Sequence, residues 1–505
     1  MIVSPSQTKK LLPQRCFALG ISLTLIILNI FRILRISITH DETGYRISDG
    51  YMDLMKNEFA SANNHIFHSL LRKFFVETFT ENLFFLRLDS LLAQLLFLYI
   101  SYRLLERLFQ KWWLVIPAFI LVNTVCPLIF EFWGLSRGYA LAIAFTITSI
   151  YYLHAYITQH PIKYLIYALL AAILAVYSNF SYVNFFVTLI IVVLAYRLLF
   201  HHSPTRKSTF LKEVLVLILG SALLAVLIIV PLTNVFGNGE LAYLGTNGFV
   251  ADTITSLVKD GILLNSRDPN TINFMIYAIV VVFWVAGIYW LVAYLLILKN
   301  SSKIPESLRV GVVFYLLLAT PVVSVMLQFY LFGINYLIDR TAIFYVLLFV
   351  LHFLYWIYHI SINKAMIAAT IMWLLSIPVI DNFYKSEFNT HHTRLWWYCA
   401  DDMAILKHII NDPINKGKKV KLWVDWSHLP SFKYNISKHY KEHFYPLTRH
   451  HEEVAKDTTY DYYFIAASNV AEIHSSYKRD TDVVGGGFVL FKRELVPHSR
   501  VNITE

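Results

Sequence analysis

The sequence predicts a polytopic α-helical membrane protein with a small soluble α/β domain at its C-terminal end. Of the 505 residues, 57% are hydrophobic and only 15% are charged, whereas a soluble globular protein carries about 25% charged residues. Apolar runs of about 20 residues, long enough to cross a bilayer as a helix, recur between Cys16 and Ile380. Further on, charge rises and the apolar runs shorten. We therefore expect a membrane domain over residues 1–381 and a soluble domain over residues 382–505.

About eleven transmembrane helices are expected. The first apolar run, residues 16–36, would form a helix about 31 Å long. It is too long for the apolar core of a signal peptide and has no small-residue cleavage site, so we interpret it as a retained anchor. The later runs cover residues 83–102, 112–129, 138–156, 164–177, 182–200, 214–235, 273–298, 310–331, 341–358 and 366–380.

The distribution of Lys and Arg predicts the orientation. The segment before the first span and the loops on its side are basic, whereas the short turns of the opposite side carry only Arg137 and Arg340. The positive-inside rule then makes the N-terminus cytoplasmic. The long loops 37–82 and 236–272 and the C-terminal domain would lie outside a multi-pass protein of the plasma (inner) membrane. Topology also accounts for the net charge of +10, which therefore does not indicate nucleic-acid binding.

The C-terminal domain is predicted from mixed patterns. Residues 401–411 have the apolar spacing of a helix, residues 420–426 alternate as a strand, and residues 460–467 form a buried strand. Residues 483–491 place three glycines between apolar residues, which predicts a hairpin or a bulge. No glycine-rich phosphate loop precedes a helix, so a nucleotide-binding role has no support.

Two adjacent carboxylates, Asp41 and Glu42, directly follow the first span. They are either the solvated start of a loop or a catalytic base for a lipid-borne substrate. An enzyme that uses polyprenyl-phosphate sugars also needs cations for the phosphate and a chamber at the membrane face. Arg137, Arg340 and Arg35 would supply those cations, although arginines at span ends also contact lipid headgroups.

A metal site is a further possibility in the first long loop. His65 and His68, spaced i, i+3, could hold a divalent ion together with the acidic pair, or they are interfacial histidines. The three cysteines, at positions 16, 126 and 399, form neither a metal pattern nor a disulfide framework. The sequence makes no cofactor certain.

Segments on the expected outer side share their order with a family of membrane enzymes. They are Asp41-Glu42-Thr43-Gly44-Tyr45, Asn63-Asn64-His65-Ile66-Phe67-His68-Ser69-Leu70-Leu71, Phe85-Leu86-Arg87-Leu88-Asp89-Ser90, Ser136-Arg137-Gly138-Tyr139-Ala140-Leu141, and Arg340 before the tenth span. In this order they resemble the GT-C superfamily of integral-membrane glycosyltransferases. The most similar branch contains the dolichyl-phosphate-mannose protein mannosyltransferases and the bacterial aminoarabinose transferase of lipid A. The prolines that many relatives carry in the second and third segments are absent here.

The resemblance implies an inverting sugar transfer from a polyprenyl-phosphate donor. Asp41 or Glu42 would be the general base, and a divalent metal is sometimes nearby, with His65 as its candidate ligand here. Arg137, Arg340, Tyr45 and Arg35 would bind the donor and its phosphate. The expected partners are membrane lipids, the lipid-linked donor, and a glycan, lipid or protein acceptor. Neither the sugar nor the acceptor carries over.

Two other functions stay open at this point. A transporter or flippase for a lipid-linked sugar would place ionisable residues near the middle of the spans. The apolar runs hold almost none, which favours chemistry at one membrane face. A non-catalytic scaffold that displays the C-terminal domain is the second alternative, and it would tolerate changes in the first loop.

Overall fold

The computed structural model describes most of the chain in two compact units. The membrane unit comprises Met1–Leu34 and Ile47–Asn389, and the C-terminal unit comprises Arg35–Arg46 and Thr390–Glu505. The first-loop segment that contains the acidic pair thus packs with the C-terminal residues. The described residues are 5–43, 50–56, 64–109, 111–200, 207–238, 244–263, 268–299, 304–361, 365–447, 459–482 and 487–493.

Helices make up most of the membrane unit. In chain order they are α1 (Pro5–Arg35), α2 (Tyr51–Lys56), α3 (Ile66–Thr78), α4 (Leu83–Leu86), α5 (Leu88–Phe109), α6 (Trp112–Thr124), α7 (Pro127–Trp133), α8 (Gly138–Gln159), α9 (Ile162–Ser178), α10 (Val183–Phe200), α11 (Lys207–Gly237), α12 (Pro269–Lys299), α13 (Glu306–Phe332), α14 (Phe344–Ile360) and α15 (Ala365–Glu387).

Eight of the described helices are long and apolar enough to cross a membrane: α1, α5, α8, α10, α11, α12, α13 and α15. The pair α6–α7 forms a ninth span if it is counted as one, and α9 and α14 are shorter apolar helices. Counting all of these gives the predicted eleven. The chain is therefore a polytopic helical membrane protein with a small C-terminal sheet domain.

The third predicted span is broken, which the sequence analysis did not anticipate. Helices α6 and α7 meet at an angle of 73°. The break falls at Cys126, whose backbone is extended (φ −120°, ψ 91°) and which precedes Pro127. The proline ring disfavours helical backbone at the residue before it and removes one N–H donor, so the helix stops and restarts here.

Among the candidate spans of the described residues, α8 is the most buried: 78% of its most apolar 18-residue window lies inside the protein, against 11% for α12. Its side chains explain this. Ala140, Ala142 and Ala144 are fully buried, and small residues let neighbouring helices approach closely in a membrane. Arg137, which directly precedes this buried helix, is itself completely buried.

The second span begins later than the sequence predicted. Leu83–Leu86 forms the separate short helix α4, which starts where Asn82 accepts a hydrogen bond from the Phe85 backbone at 3.0 Å. At Arg87 the backbone leaves the helix, and its buried guanidinium donates to the Ile33 carbonyl at 3.0 Å. The long helix α5 starts only at the next residue.

The C-terminal unit is built around a four-stranded sheet. Its strands are β1 (Leu422–Val424), β2 (Tyr462–Ala466), β3 (Tyr477–Asp482) and β4 (Phe488–Arg493), in the spatial order β1-β2-β4-β3. Strands β1 and β2 are parallel, and the other two pairs are antiparallel. Helices α16 (Asp402–Asn411) and α17 (Leu429–Asn435) complete the unit.

The core of this unit forms where helices cover one face of the sheet. Leu406 and Ile409 of α16 and Phe432 of α17 pack with Phe464 and Leu490 of the strands. The predicted helix and the two predicted strands are present, and β3 and β4 form the predicted hairpin. Most of the turn of that hairpin lies outside the described residues.

Candidate functional site

The candidate site of the membrane unit starts at the segment before α8. The Leu135 carbonyl accepts hydrogen bonds from the Ser90 hydroxyl at 2.6 Å and from the Arg137 backbone N–H at 2.8 Å. Ser136 is within hydrogen-bond distance of His68 Nε2, at 3.2 Å, and His68 Nδ1 is paired with buried Asp89. These buried contacts fix the backbone at Arg137, whose side chain is completely buried.

His65 lies against the same segment, at the residue before α3. Its ring packs edge-on to Tyr139 at 4.9 Å and donates a hydrogen bond to the Ser178 carbonyl at the end of α9. Gly138 makes this approach possible. A Cβ at that position would lie 2.1 Å from the Ser178 oxygen and 2.5 Å from the His65 Cβ. Only glycine fits there without displacing its neighbours.

Burial and the charges of two arginines keep His65 neutral. Burial lowers the pKa of His65 well below its usual 6.5, and the positive charges of Arg137, His68 and Arg340 lower it further. Because the ring is 3% exposed, it stays neutral at pH 7. Its Nε2 is buried without a hydrogen-bond partner among the described residues. Three residues singled out in the sequence, His65, Arg137 and Arg340, therefore come together.

Arg340 belongs to a short 3-10 helix, Asp339–Ala342, that precedes α14. Asp339 has a left-handed backbone (φ 47°), and its N–H donates to Ser256 Oγ at 2.9 Å. Burial and the charge of Asp260 raise the pKa of Asp339, while Arg340 opposes that shift. Left-handed backbone is costly for a residue other than glycine, although Asp tolerates it better than most. Such strain often accompanies functional positions.

The second long loop holds this segment in place. Gly245 and Tyr336 exchange two backbone hydrogen bonds, at 3.2 and 2.8 Å. Thr253 Oγ1 donates to the Leu337 carbonyl at 2.6 Å. The described part of this loop, residues 244–263, therefore helps to position the backbone before Arg340.

The acidic pair lies in the C-terminal unit, on the 3-10 turn His40–Thr43. Both side chains are buried. One oxygen of Glu42 accepts hydrogen bonds from the Thr39 N–H at 2.9 Å and from the Thr39 hydroxyl at 3.1 Å. This is the contact by which a Glu in the first turn caps a helix start. Glu42 thus has a structural role, and Asp41 becomes the stronger candidate for a base.

Other residues of the C-terminal unit fix the position of this turn. His40 Nδ1 lies 2.7 Å from the Ser427 carbonyl oxygen, and its ring packs edge-on to Trp426. Ser37 Oγ donates to the Ala400 carbonyl at 3.0 Å. The backbone N–H of His40 also donates to Cys399. The position of Asp41 therefore depends on residues near the opposite end of the chain.

The remaining predicted site residues are less informative. Arg35 is the last residue of α1 and is exposed. Tyr45 lies outside the described residues. His65 belongs to no group of three metal-ligating side chains among the described residues, and the neighbouring arginine charges oppose a cation there. The metal role of His65 stays a prediction.

Sequence reasoning missed the groups that build the site. Arg32, near the end of α1, is buried and paired with Glu387 at 3.1 Å and Glu131 at 3.5 Å. The pairing of His68 with Asp89 also went unnoticed. A polar residue in an otherwise apolar run was the available signal for Asp89 and Glu131, because burying a carboxylate requires a partner.

Comparisons with known proteins give structural matches alone. No family model and no curated protein matches the chain. The crystal structure of ArnT from Cupriavidus metallidurans bound to undecaprenyl phosphate superposes with a TM-score of 0.44 at 10% identity, covering 94% of this chain and 97% of that chain. Its apo form gives 0.46 at 12% identity, with the same coverage. Identities and TM-scores this low do not assign an activity.

Proposed function

We propose that the protein is a membrane glycosyltransferase that moves a sugar from a polyprenyl-phosphate donor to an extracytoplasmic acceptor. The observation that carries this proposal is that the charges of Arg137 and Arg340 both act on the neutral, buried His65, whose ring packs against Tyr139 beside Arg137. Two guanidinium groups beside the start of a long helix provide the charge that a phosphate needs. Neither the sugar nor the acceptor follows from these residues.

In the proposed reaction Arg137 and Arg340 hold the lipid phosphate and offset the charge that develops on it. The bond between the anomeric carbon and the phosphate oxygen breaks, and the polyprenyl phosphate leaves with the electron pair. His65 cannot add a charge, because its pKa is lowered. Its Nε2 lone pair can accept a hydrogen bond from a sugar hydroxyl.

Asp41 is the proposed general base. Its carboxylate takes the proton of the acceptor hydroxyl or amine while the acceptor atom bonds to the anomeric carbon. Glu42 is less suited to this role, because its carboxylate caps the turn through Thr39. Support for Asp41 thus comes from its position shortly after the first span in the sequence and from the structural role of Glu42.

The test is a gene deletion followed by complementation. Mass spectrometry of cell-envelope lipids, glycans and glycoproteins would show which sugar disappears, and the wild-type gene should restore it. Proton transfer by a positioned base contributes about 10²- to 10⁴-fold to a rate. Asp41→Asn should therefore lower the rate of sugar transfer by about that factor and should not restore the modification. The variant protein should still be found in membranes at wild-type level.

Glu42→Gln is the matched control. The amide oxygen of Gln still accepts the hydrogen bonds from Thr39, so the turn is kept and transfer should fall less than about tenfold, as for a weakened helix cap. Equal loss in both variants would contradict the division of roles. Wild-type transfer by Asp41→Asn would exclude Asp41 as the base.

One observation favours a transporter as the second candidate. His352 lies at the middle of α14, is completely buried, and has no hydrogen-bond partner for either ring nitrogen among the described residues. An ionisable residue at that depth often marks a transport path. Purified protein in vesicles that moves a labelled polyprenyl-phosphate sugar across the bilayer without transferring it would support this function over the enzyme.

A further inference from the structure

Three side chains of the C-terminal unit bring potential metal ligands together. One ligand atom each from Cys399, Asp402 and His428 lies within 4.8 Å of the other two. All three residues are at most 1% exposed. No other group of three or more such residues this close is found in the described part of the chain. A thiolate, an imidazole and a carboxylate are the ligands by which proteins bind zinc.

The local structure explains why these side chains meet. Cys399 lies in the 3-10 helix Trp397–Asp401, and Asp402 begins α16 directly after it. A separation of three residues puts their side chains on one face of a helical turn. His428 precedes α17 and is fixed there by a backbone hydrogen bond to Asp425 at 3.0 Å. Two helix starts thus direct their side chains to one point.

Hydrogen bonds and aromatic rings orient the side chains of Asp402 and His428. His428 Nδ1 lies 2.7 Å from one oxygen of Asp402, and the Ser431 hydroxyl donates to the other. Aromatic rings enclose the imidazole, with Phe488 at 4.3 Å and Phe464 at 4.8 Å between ring centroids. His428 Nε2 is buried without a hydrogen-bond partner among the described residues. Dry, oriented ligands of this kind bind metals well.

Metal binding would also compensate the charge of the buried ligand set. A buried group of acids is stabilised when a divalent ion compensates their charge. Binding would convert the thiol to a thiolate and release its proton to solvent.

We propose that Cys399, Asp402 and His428 bind a divalent transition metal of the zinc class. Metal–ligand distances of about 2.0–2.3 Å require the contact between Asp402 and His428 to open slightly, with Ser431 or a water in the fourth position. The His40 N–H, which already donates to Cys399, would then donate to a metal-bound thiolate. The metal would thereby stabilise the turn His40–Thr43 as well as the sheet domain.

Cobalt substitution of the full-length, detergent-purified protein tests the proposal directly. After treatment with a chelator, addition of Co²⁺ should give one equivalent per chain and the charge-transfer absorption of a cobalt–thiolate bond. The chain has three cysteines, so Cys399→Ser should abolish the absorption, while Cys16→Ser and Cys126→Ser keep it. Absence of the band in the wild type, or its persistence in Cys399→Ser, would overturn the proposal.

Thermal unfolding provides a second measurement that does not depend on how well a variant folds. Zn²⁺ added to the chelated wild-type protein should raise its melting temperature, because a ligand that binds the folded state stabilises it. Mg²⁺ should have no such effect, since it prefers oxygen ligands. An equal shift with both ions, or no shift with Zn²⁺, would contradict a site of this chemistry.

Discussion

Arg137 and Asp41 are held in place by different kinds of structure. Arg137 directly precedes α8, the helix with the most buried span, and the hydrogen bonds of Leu135 and Ser136 fix its backbone. Asp41 lies on a four-residue turn that depends on Thr39 and on residues of the C-terminal unit. The cationic residues are thus built into the helix bundle, whereas the carboxylate is carried by a sheet domain.

The difference has a functional consequence. Arg137 and His65 are packed inside the membrane unit, so substitutions of these residues should alter both stability and ligand binding. Changes at the turn should affect the chemistry without unfolding the bundle, because the turn belongs to another compact unit.

The largest expected contrast involves the two arginines. Arg137→Gln and Arg340→Gln should each weaken binding of undecaprenyl phosphate about 10- to 100-fold, since a hydrogen bond to a charged group contributes about 1.5–3 kcal/mol. Arg137→Gln should also lower the melting temperature, because Arg137 is completely buried, whereas Arg340 is partly exposed. Binding and thermal unfolding of the purified proteins measure both effects.

Arg103→Gln is the control for these variants. Arg103 is partly exposed near the end of α5 and pairs locally with Glu106 at 3.3 Å. It should leave lipid-phosphate binding unchanged. If Arg103→Gln weakens binding as much as Arg340→Gln, the effect reflects net charge at the membrane and the phosphate clamp is wrong.

A somewhat smaller effect is expected at Gly138. Alanine there would force its Cβ against the Ser178 carbonyl and His65, and such overpacking typically costs about 1–3 kcal/mol. The melting temperature and the transfer activity should both fall. Gly20→Ala is the matched control, because α1 leaves open space at that position. It should be neutral or stabilise the helix by up to about 1 kcal/mol. Equal melting temperatures for both variants would contradict the close packing at Gly138.

The sequence predicted the spans well because hydrophobic length alone decides them. It did not predict the break at Cys126, because the residues on both sides of the break are apolar. Pro127 was the visible signal. Nor could it show that His65 meets Ser178, or that the turn of Asp41 packs with Ser427. Those contacts join segments that are far apart in the chain, and local periodicity carries no information about them.

The same reasoning explains what was predicted about the site. Arg137 and Arg340 were singled out because a cation in a short turn that is expected on the outer side departs from the positive-inside pattern. The cysteines were dismissed because their spacing was judged among themselves. Cys399 finds its neighbours in Asp402 and His428, a combination that a search for cysteine spacing does not cover. The signal was a cysteine three residues before an acid at a helix start.

The smallest expected effect is the pH dependence that His65 adds. Its folded pKa lies below the usual 6.5, so between these two values the unfolded chain binds a proton that the folded chain does not. Stability from this residue is therefore fully present above about pH 6.5 and is lost as the pH falls, by up to about 1.4 kcal/mol per pH unit.

Removal of this imidazole should flatten the acid side of the stability curve. His65→Gln cannot be protonated, so its melting temperature should fall less between pH 7.5 and about pH 5.5 than that of the wild-type protein. His408→Gln is the control, because His408 is exposed and pairs with Asp480 in the C-terminal unit. A parallel fall in wild type and His65→Gln would mean that His65 is protonated in the folded state. Its two arginine neighbours would then not exert the field on which the phosphate site depends.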